Sequence, residues 1–167
     1  MVNKKSRNDS AISNAFGIRN AETLNKTGSH AHDAGNYTFA IAAFNRSITL
    51  NPHDAYTYYC RGCSYSKIGN HDKSIEDFNK SIELDPFNVY CYFCRGVEYS
   101  RVGNIVKAIE DYDKIIEMYP KLAIMYNKRG IAYEKIGQHQ RAVEEYTEAI
   151  RLKPKYVDFI GSVKCFV

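Results

Sequence analysis

The chain has 167 residues and a formal net charge of +4, part of it carried by Lys4, Lys5 and Arg7 near the start. So small a surplus argues little for nucleic acid as a partner, and no apolar run approaches the roughly 20 residues of a membrane span. The early lysines lack a following apolar stretch, so no secretory signal is read there, and the five cysteines are an odd number that argues against a closed disulfide framework. A reducing cytoplasmic setting is the expectation.

Residues 1–20 are polar and follow no repeating pattern. They are expected to form a flexible leader, with at most a short helix near Ala11 to Phe16. From Ala21 onward one 34-residue unit is written four times, over 21–54, 55–88, 89–122 and 123–156, so that the array occupies 21–154. Gly28, Gly62, Gly96 and Gly130 keep this spacing, as do Gly35, Gly69, Gly103 and Gly137. Pro52, Pro86, Pro120 and Pro154, which are all the prolines, keep it too. A fixed period of this length is the signature of a stacked array of small units.

Each unit reads as two helices, clearest in the second copy. Tyr58, Gly62 and Tyr65 share one face of a helix from about Ala55 to Ile68, and the glycine lets a second helix approach closely. Gly69 ends that helix, because glycine takes the left-handed cap conformation without penalty. A second helix follows from about His71 to Leu84, with Ser74, Ile75, Phe78 and Ile82 as its buried stripe. Asp85-Pro86 stops it, since a residue before proline avoids helical angles. The same reasoning predicts helices at 21–34 and 37–50, 89–102 and 105–118, and 123–136 and 139–152.

The unit resembles the tetratricopeptide repeat. Tyr92, Gly96, Tyr99, Ala108, Tyr112 and Pro120 meet that family's pattern, and Tyr126, Gly130, Tyr133, Ala142, Tyr146 and Pro154 meet it again. The second copy departs at Ser74. The first is degenerate, with Leu24 and Ala31 at two aromatic sites. The resemblance implies an all-α, right-handed helical-repeat solenoid of four antiparallel helix pairs plus a C-terminal helix. Such arrays are scaffolds on which binding sites are grafted, so the fold alone does not name a function.

The copies supply their own control for two features. Arg61, Arg95 and Arg129 occupy one site, and Asp77, Asp111 and Glu145 follow sixteen residues later; the first copy has Thr27 and Ala43 instead. Charges present together and absent together predict a bidentate Arg–carboxylate pair bridging the two helices of a repeat. The second feature is the first-helix face that points away from the buried stripe. It is polar in the first copy, with Glu22, Lys26, Ser29 and Asp33, as a surface helix should be. In later copies it carries Tyr56, Cys60 and Cys63, then Tyr90, Cys94 and Val97, then Ile124 and Ile131, with Tyr59, Phe93 and Asn127 flanking.

In the family this stripe lines the concave groove that holds partner peptides. Excess apolar surface marks an interaction site. The expected partner-binding set is therefore Tyr56, Tyr59, Cys60, Cys63, Tyr90, Phe93, Cys94, Val97, Arg101, Asn127, Lys128 and Ile131. The competing account packs these side chains between neighbouring first helices. Lys67, Arg101, Lys128 and Lys135 along the stripe suit an apolar partner segment with some acidic charge. The carboxylate clamp of chaperone adaptors is not supplied: its sites carry Asn25, Ser29, Cys60, Tyr90 and Cys94, or one repeat along Tyr59, Cys63, Cys94, Ile124 and Lys128.

No other chemistry is legible. The Cys60/Cys63 and Cys91/Cys94 pairs resemble metal knuckles, but they sit inside helices too far apart for a zinc ribbon, and Cys91 points elsewhere around its helix than Cys94. His30 and His32 lie about 200° apart on a helix and cannot chelate together. No nucleophile–base pair, phosphate loop or paired carboxylates are found, so no catalytic site, metal or cofactor is expected. The apolar stripe and the period argue against single-stranded RNA. Residues 155–167 begin like a fifth repeat, with Tyr156, Ile160 and Val163 in stripe spacing and Lys164 at the glycine site. They are expected to cap the fourth repeat, the alternative being a homo-oligomer edge. The overall expectation is a non-catalytic protein-interaction module, with a self-assembling scaffold as the alternative.

Overall fold

A computed structural model describes residues 4–152, with side chains from Gly17 onward. Eight helices span these residues: α1 Lys4–Asp33, α2 Tyr37–Leu50, α3 Ala55–Lys67, α4 His71–Leu84, α5 Val89–Arg101, α6 Ile105–Met118, α7 Ala123–Lys135 and α8 His139–Leu152. There is no strand among them. From Ala21 on, each expected helix is found to within a residue or so at its ends. The expected leader is corrected over residues 4–20, which continue α1 without a break. Nothing between Lys4 and Asp33 stops a helix. The stretch holds no proline, its alanines favour helix, and Gly17 alone costs only about 1 kcal/mol. The tail from Lys155 on lies outside the described residues.

The turns explain why the pattern repeats. Gly35, Gly69, Gly103 and Gly137 have φ of 78°, 76°, 82° and 75°, the left-handed region. In the first three, the next residue caps the second helix: Asn36, Asn70 and Asn104 side chains accept the backbone N–H of Phe39, Lys73 and Lys107. Such a cap contributes about 1 kcal/mol.

The other glycine row sets the helix spacing. A Cβ on Gly62 would stand 2.8 Å from Phe78 Cε1, and one on Gly96 equally close to Tyr112 Cε1. Both lie well inside contact distance, so the aromatic of the second helix seats on bare backbone of the first. Ser74, the one departure from pattern in the second copy, is fully buried and donates to the Gly62 carbonyl at 2.8 Å. Its hydroxyl is thereby satisfied where alanine would otherwise stand.

Each first helix packs on its own second helix, and each second helix on the next first helix. Successive first helices also touch, α1 with α3 and α3 with α5, more closely than successive second helices do. The stack is therefore a solenoid with the first helices on its inner side. Its largest apolar cluster joins the third and fourth repeats and includes Phe93, Ile109, Tyr112, Ile115 and Met125.

Candidate functional site

The first helices are fixed in rotation by the arginines. Arg61 donates from Nε and Nη2 to Asp77 at 2.8 and 2.6 Å, and Arg95 makes the same fork on Asp111 at 3.0 and 2.5 Å. Arg129 reaches Glu145 differently. Both carboxylate oxygens fall on Nη2, at 2.7 and 2.8 Å, and Nε has no hydrogen-bond partner. The longer glutamate overshoots the fork that aspartate matches.

Each arginine has a third contact that the sequence reasoning missed. Nη1 crosses to the second helix of the preceding repeat, meeting Asn45, Asn79 and Asp113 at 2.7, 2.7 and 2.5 Å. One side chain thus ties three helices. Tyrosines sandwich it as well: Arg61 lies 5.5 Å from the Tyr58 ring centre and 5.9 Å from that of Tyr65. The identical spacing of Asn45, Asn79 and Asp113 was the available signal. Burial pulls these guanidinium groups down, but their carboxylate hydrogen bonds leave them above the ordinary arginine value.

With the helices so oriented, the expected partner-binding residues divide into three groups. Tyr56, Arg101 and Ile131 are exposed, Tyr56 to 54% and Ile131 to 39%. Tyr59, Cys60, Tyr90, Val97, Asn127 and Lys128 are half-buried. Cys63, Phe93 and Cys94 are buried, which corrects the expectation that the whole set lines an open surface. The reason is close first-helix packing. Cys63 and Cys94 join Phe78 in one cluster with Tyr59 against it, and Phe93 belongs to the cluster with Met125. Tyr59 also exchanges a hydrogen bond with Cys94 on the next first helix, and burial raises its phenol pKa.

Arg101 also differs from expectation. Its Nη1 donates to Glu98 Oε1 at 2.5 Å and to Ser66 Oγ at 3.0 Å. Glu98 is 2% exposed and further held by Ser66 Oγ at 2.9 Å and His71 Nδ1 at 2.6 Å. Arg101 therefore balances a buried carboxylate at the junction of repeats two and three. Lys128 forms no ion pair among the described residues.

Cys60 and Cys91 lie apart from the Cys63–Cys94 cluster. Cys60 packs against Ala31, Ala40 and Phe44, while Cys91 Sγ lies 3.0 Å from Ser81 Oγ. Burial pushes the Cys60 thiol up to about 11 and Cys91 up to about 12, and raises Cys94 as well. Such thiols are poor nucleophiles and poor ligands at neutral pH. Tyr56 is pushed up to about 12, first by the neighbouring Cys60 and then by burial. Among the described residues no three His, Cys, Asp or Glu side chains converge to hold a metal, and no helix is long and apolar enough to cross a membrane.

Comparison with known proteins agrees with this geometry. Residues 55–88, 78–110 and 123–156 each match tetratricopeptide repeat profiles. The chain belongs to the tetratricopeptide repeat family. A crystal structure of MamA is 30% identical, with a TM-score of 0.77 over 80% of this chain and 78% of that one. MamA 41-end from Desulfovibrio magneticus RS-1 is 21% identical, with a TM-score of 0.74 over 79% and 75%. The first tetratricopeptide domain of Spaghetti (RPAP3), solved with the HSP90 peptide SRMEEVD, is 18% identical, with a TM-score of 0.69 over 72% and 95%. No curated protein matches the sequence. Tetratricopeptide arrays of this kind are protein–protein interaction modules.

Proposed function

We propose that this chain is a non-catalytic adaptor whose inner, first-helix face holds an apolar, mildly acidic segment of a protein partner. The observation that carries the reading is the contrast along that face. Repeats two to four present Tyr56, Tyr90, Val97 and Ile131 at sites where the first repeat has Glu22 and Ser29. Tyr56 and Ile131 are exposed, and Lys128 stands between half-buried neighbours without a carboxylate of its own among the described residues. Burying an aromatic and an aliphatic anchor while pairing one lysine is the economy of a peptide groove. Cys63, Phe93 and Cys94 form the floor beneath rather than the contact surface.

The Spaghetti relative was solved with a peptide ending in Glu-Val-Asp. The clamp sites here carry Asn25, Ser29, Cys60, Tyr90 and Cys94, or one repeat along Tyr59, Cys63, Cys94, Ile124 and Lys128, so neither register supplies the full carboxylate clamp. The proposed partner is therefore engaged chiefly through its apolar side chains, in a cytoplasmic setting. Self-assembly is the second reading, favoured by the exposed Val143 and Ile150 on α8.

The test is capture of partners from lysate by the wild type and by Tyr56→Asp/Ile131→Asp, identified by mass spectrometry. Loss of specific partners from the variant, at an unchanged circular dichroism melt, is the expected result. Identical capture by both proteins would overturn the groove reading.

A further inference from the structure

The turns that join the two helices of each repeat line up along one edge of the stack, and two rows run along that edge. The first is apolar. Ile68, Val102 and Ile136 stand 34 residues apart, each directly before a turn glycine, and are 47%, 45% and 36% exposed. The second is cationic. Lys73, Lys107 and Arg141 keep the same spacing as the third residue of α4, α6 and α8, and all are exposed. Val106 and Phe39, the latter at the cation site of the first repeat, add exposed apolar surface to the same edge.

Among the described residues none of these three cations forms an ion pair, although Glu76, Glu110 and Glu144 stand three residues on. Lys80 and Lys114, on the same helices, do take the glutamate three residues on, at 2.6 and 2.8 Å. Lys73, Lys107 and Arg141 lie instead over the rings of Tyr65, Tyr99 and Tyr133, at 5.5, 5.3 and 5.6 Å from the ring centres. A cation held on a ring keeps its charge and has less freedom to lose when an anion arrives.

A row of one sign attracts an acidic partner and disfavours a second copy of the same edge. Two features favour protein over nucleic acid. The aliphatic row has no use against phosphates, and the tyrosines are not free to stack bases. The rings of Tyr65 and Tyr99 each already carry two cations, Arg61 with Lys73 and Arg95 with Lys107. A protein segment uses both rows. Successive first helices touch, so the aliphatic side chains follow one another at roughly 10 Å. An extended chain covers that distance in about three residues.

We infer that the turn edge of repeats two to four docks an acidic, extended segment of a protein partner. Its aliphatic side chains, at about every third residue, meet Ile68, Val102 and Ile136, and its carboxylates face Lys73, Lys107 and Arg141. This surface is separate from the inner face, so the inference goes beyond the groove reading and does not depend on it.

A labelled peptide of Glu-Glu-Leu repeats, titrated against the full chain by fluorescence anisotropy, tests it. Lys73→Glu/Lys107→Glu should raise the Kd at least about tenfold, because like charges then face each other, and added salt should weaken the wild-type complex. Glutamate suits a position three residues after an asparagine cap, so this variant stays folded, which circular dichroism checks. A Glu-Glu-Ser peptide should bind more weakly than Glu-Glu-Leu, and Val102→Ser/Ile136→Ser should erase that difference. Tyr56→Ala/Ile131→Ala, on the inner face, should leave the affinity unchanged. No binding to wild type, equal affinity in Lys73→Glu/Lys107→Glu, or a loss confined to Tyr56→Ala/Ile131→Ala would overturn the inference. So would an oligothymidylate of equal charge that binds more tightly than the peptide, which would assign the edge to nucleic acid.

Discussion

The first repeat and the three that follow share a backbone but are held together differently. Repeats two to four each carry an arginine that ties its own helix to two others, sandwiched by two tyrosines in the second and third copies. A second cation stands over the outer tyrosine in all three: Lys73, Lys107 and Arg141 over Tyr65, Tyr99 and Tyr133. The first repeat has Thr27, Ala31 and Phe39 at these sites, and its inner face is polar. Besides the Arg61 contact to Asn45, its first helix joins the second repeat through hydrogen bonds of uncharged side chains. Asn25 Nδ2 donates to Thr57 Oγ1 and to Asp54 Oδ2, and His32 Nδ1 meets Ser64 Oγ at 2.8 Å. The difference teaches that the arginine device and the apolar inner face travel together. Where the helices are locked in rotation, their free face can carry aromatic side chains toward a partner.

The largest effect expected within this comparison is at Phe93. Phe93→Ala should cost about 3–5 kcal/mol in urea unfolding, as for buried aromatics. Tyr56→Ala, on the open part of the same face, should stay within about 0.5 kcal/mol. Equal costs would erase the division between floor and contact surface. Next comes Arg95→Ala, which strands Asp111 at 2% exposure without its cation. A loss of about 3 kcal/mol is expected, the low end for breaking a buried pair. Thr27→Ala, at the matching site of the first repeat, should change little, and a comparable loss there would show that the arginine site is not special.

Much of this was legible in the sequence. The period gave seven of the helices nearly to the residue, because glycine and proline rows act on local backbone angles alone. The Arg61–Asp77 fork was also legible, since the first copy lacks both members. The third contact went unread because it joins different repeats and two of its three acceptors, Asn45 and Asn79, carry no charge. Residues 4–20 are polar, which by itself points to disorder, but nothing there breaks a helix. The burial of Phe93, Cys63 and Cys94 depends on how closely neighbouring first helices approach, a tertiary distance that spacing along one chain does not encode. Glu98 was missed for the same reason, as its partners Ser66 and His71 lie on the preceding repeat.

Two smaller effects sharpen the comparison at its ends. Glu145→Asp should restore the fork and give Nε of Arg129 its acceptor, raising stability by about 0.5–1 kcal/mol. No gain, with Nε still unpaired in a crystal structure, would deny that side-chain length is the cause. His32, at the first junction, has a pKa lowered from 6.5 chiefly by burial. As pH falls through that value the unfolded chain takes up the proton first, so stability should decline between about pH 7 and pH 5. His32→Gln should flatten that part of the profile. An unchanged slope would assign it to other groups.

The central claim is that repeats two to four bind through the open residues of their inner face. Peptides selected from a random library on the wild type, then titrated by fluorescence anisotropy, test it most directly. The account predicts apolar peptides carrying an acidic residue. Their Kd should rise at least about tenfold in Tyr56→Asp/Ile131→Asp, a loss of about 1.4 kcal/mol or more, and rise also in Lys128→Glu, with melting temperatures unchanged. Peptides that bind wild type and both variants with equal affinity would contradict it.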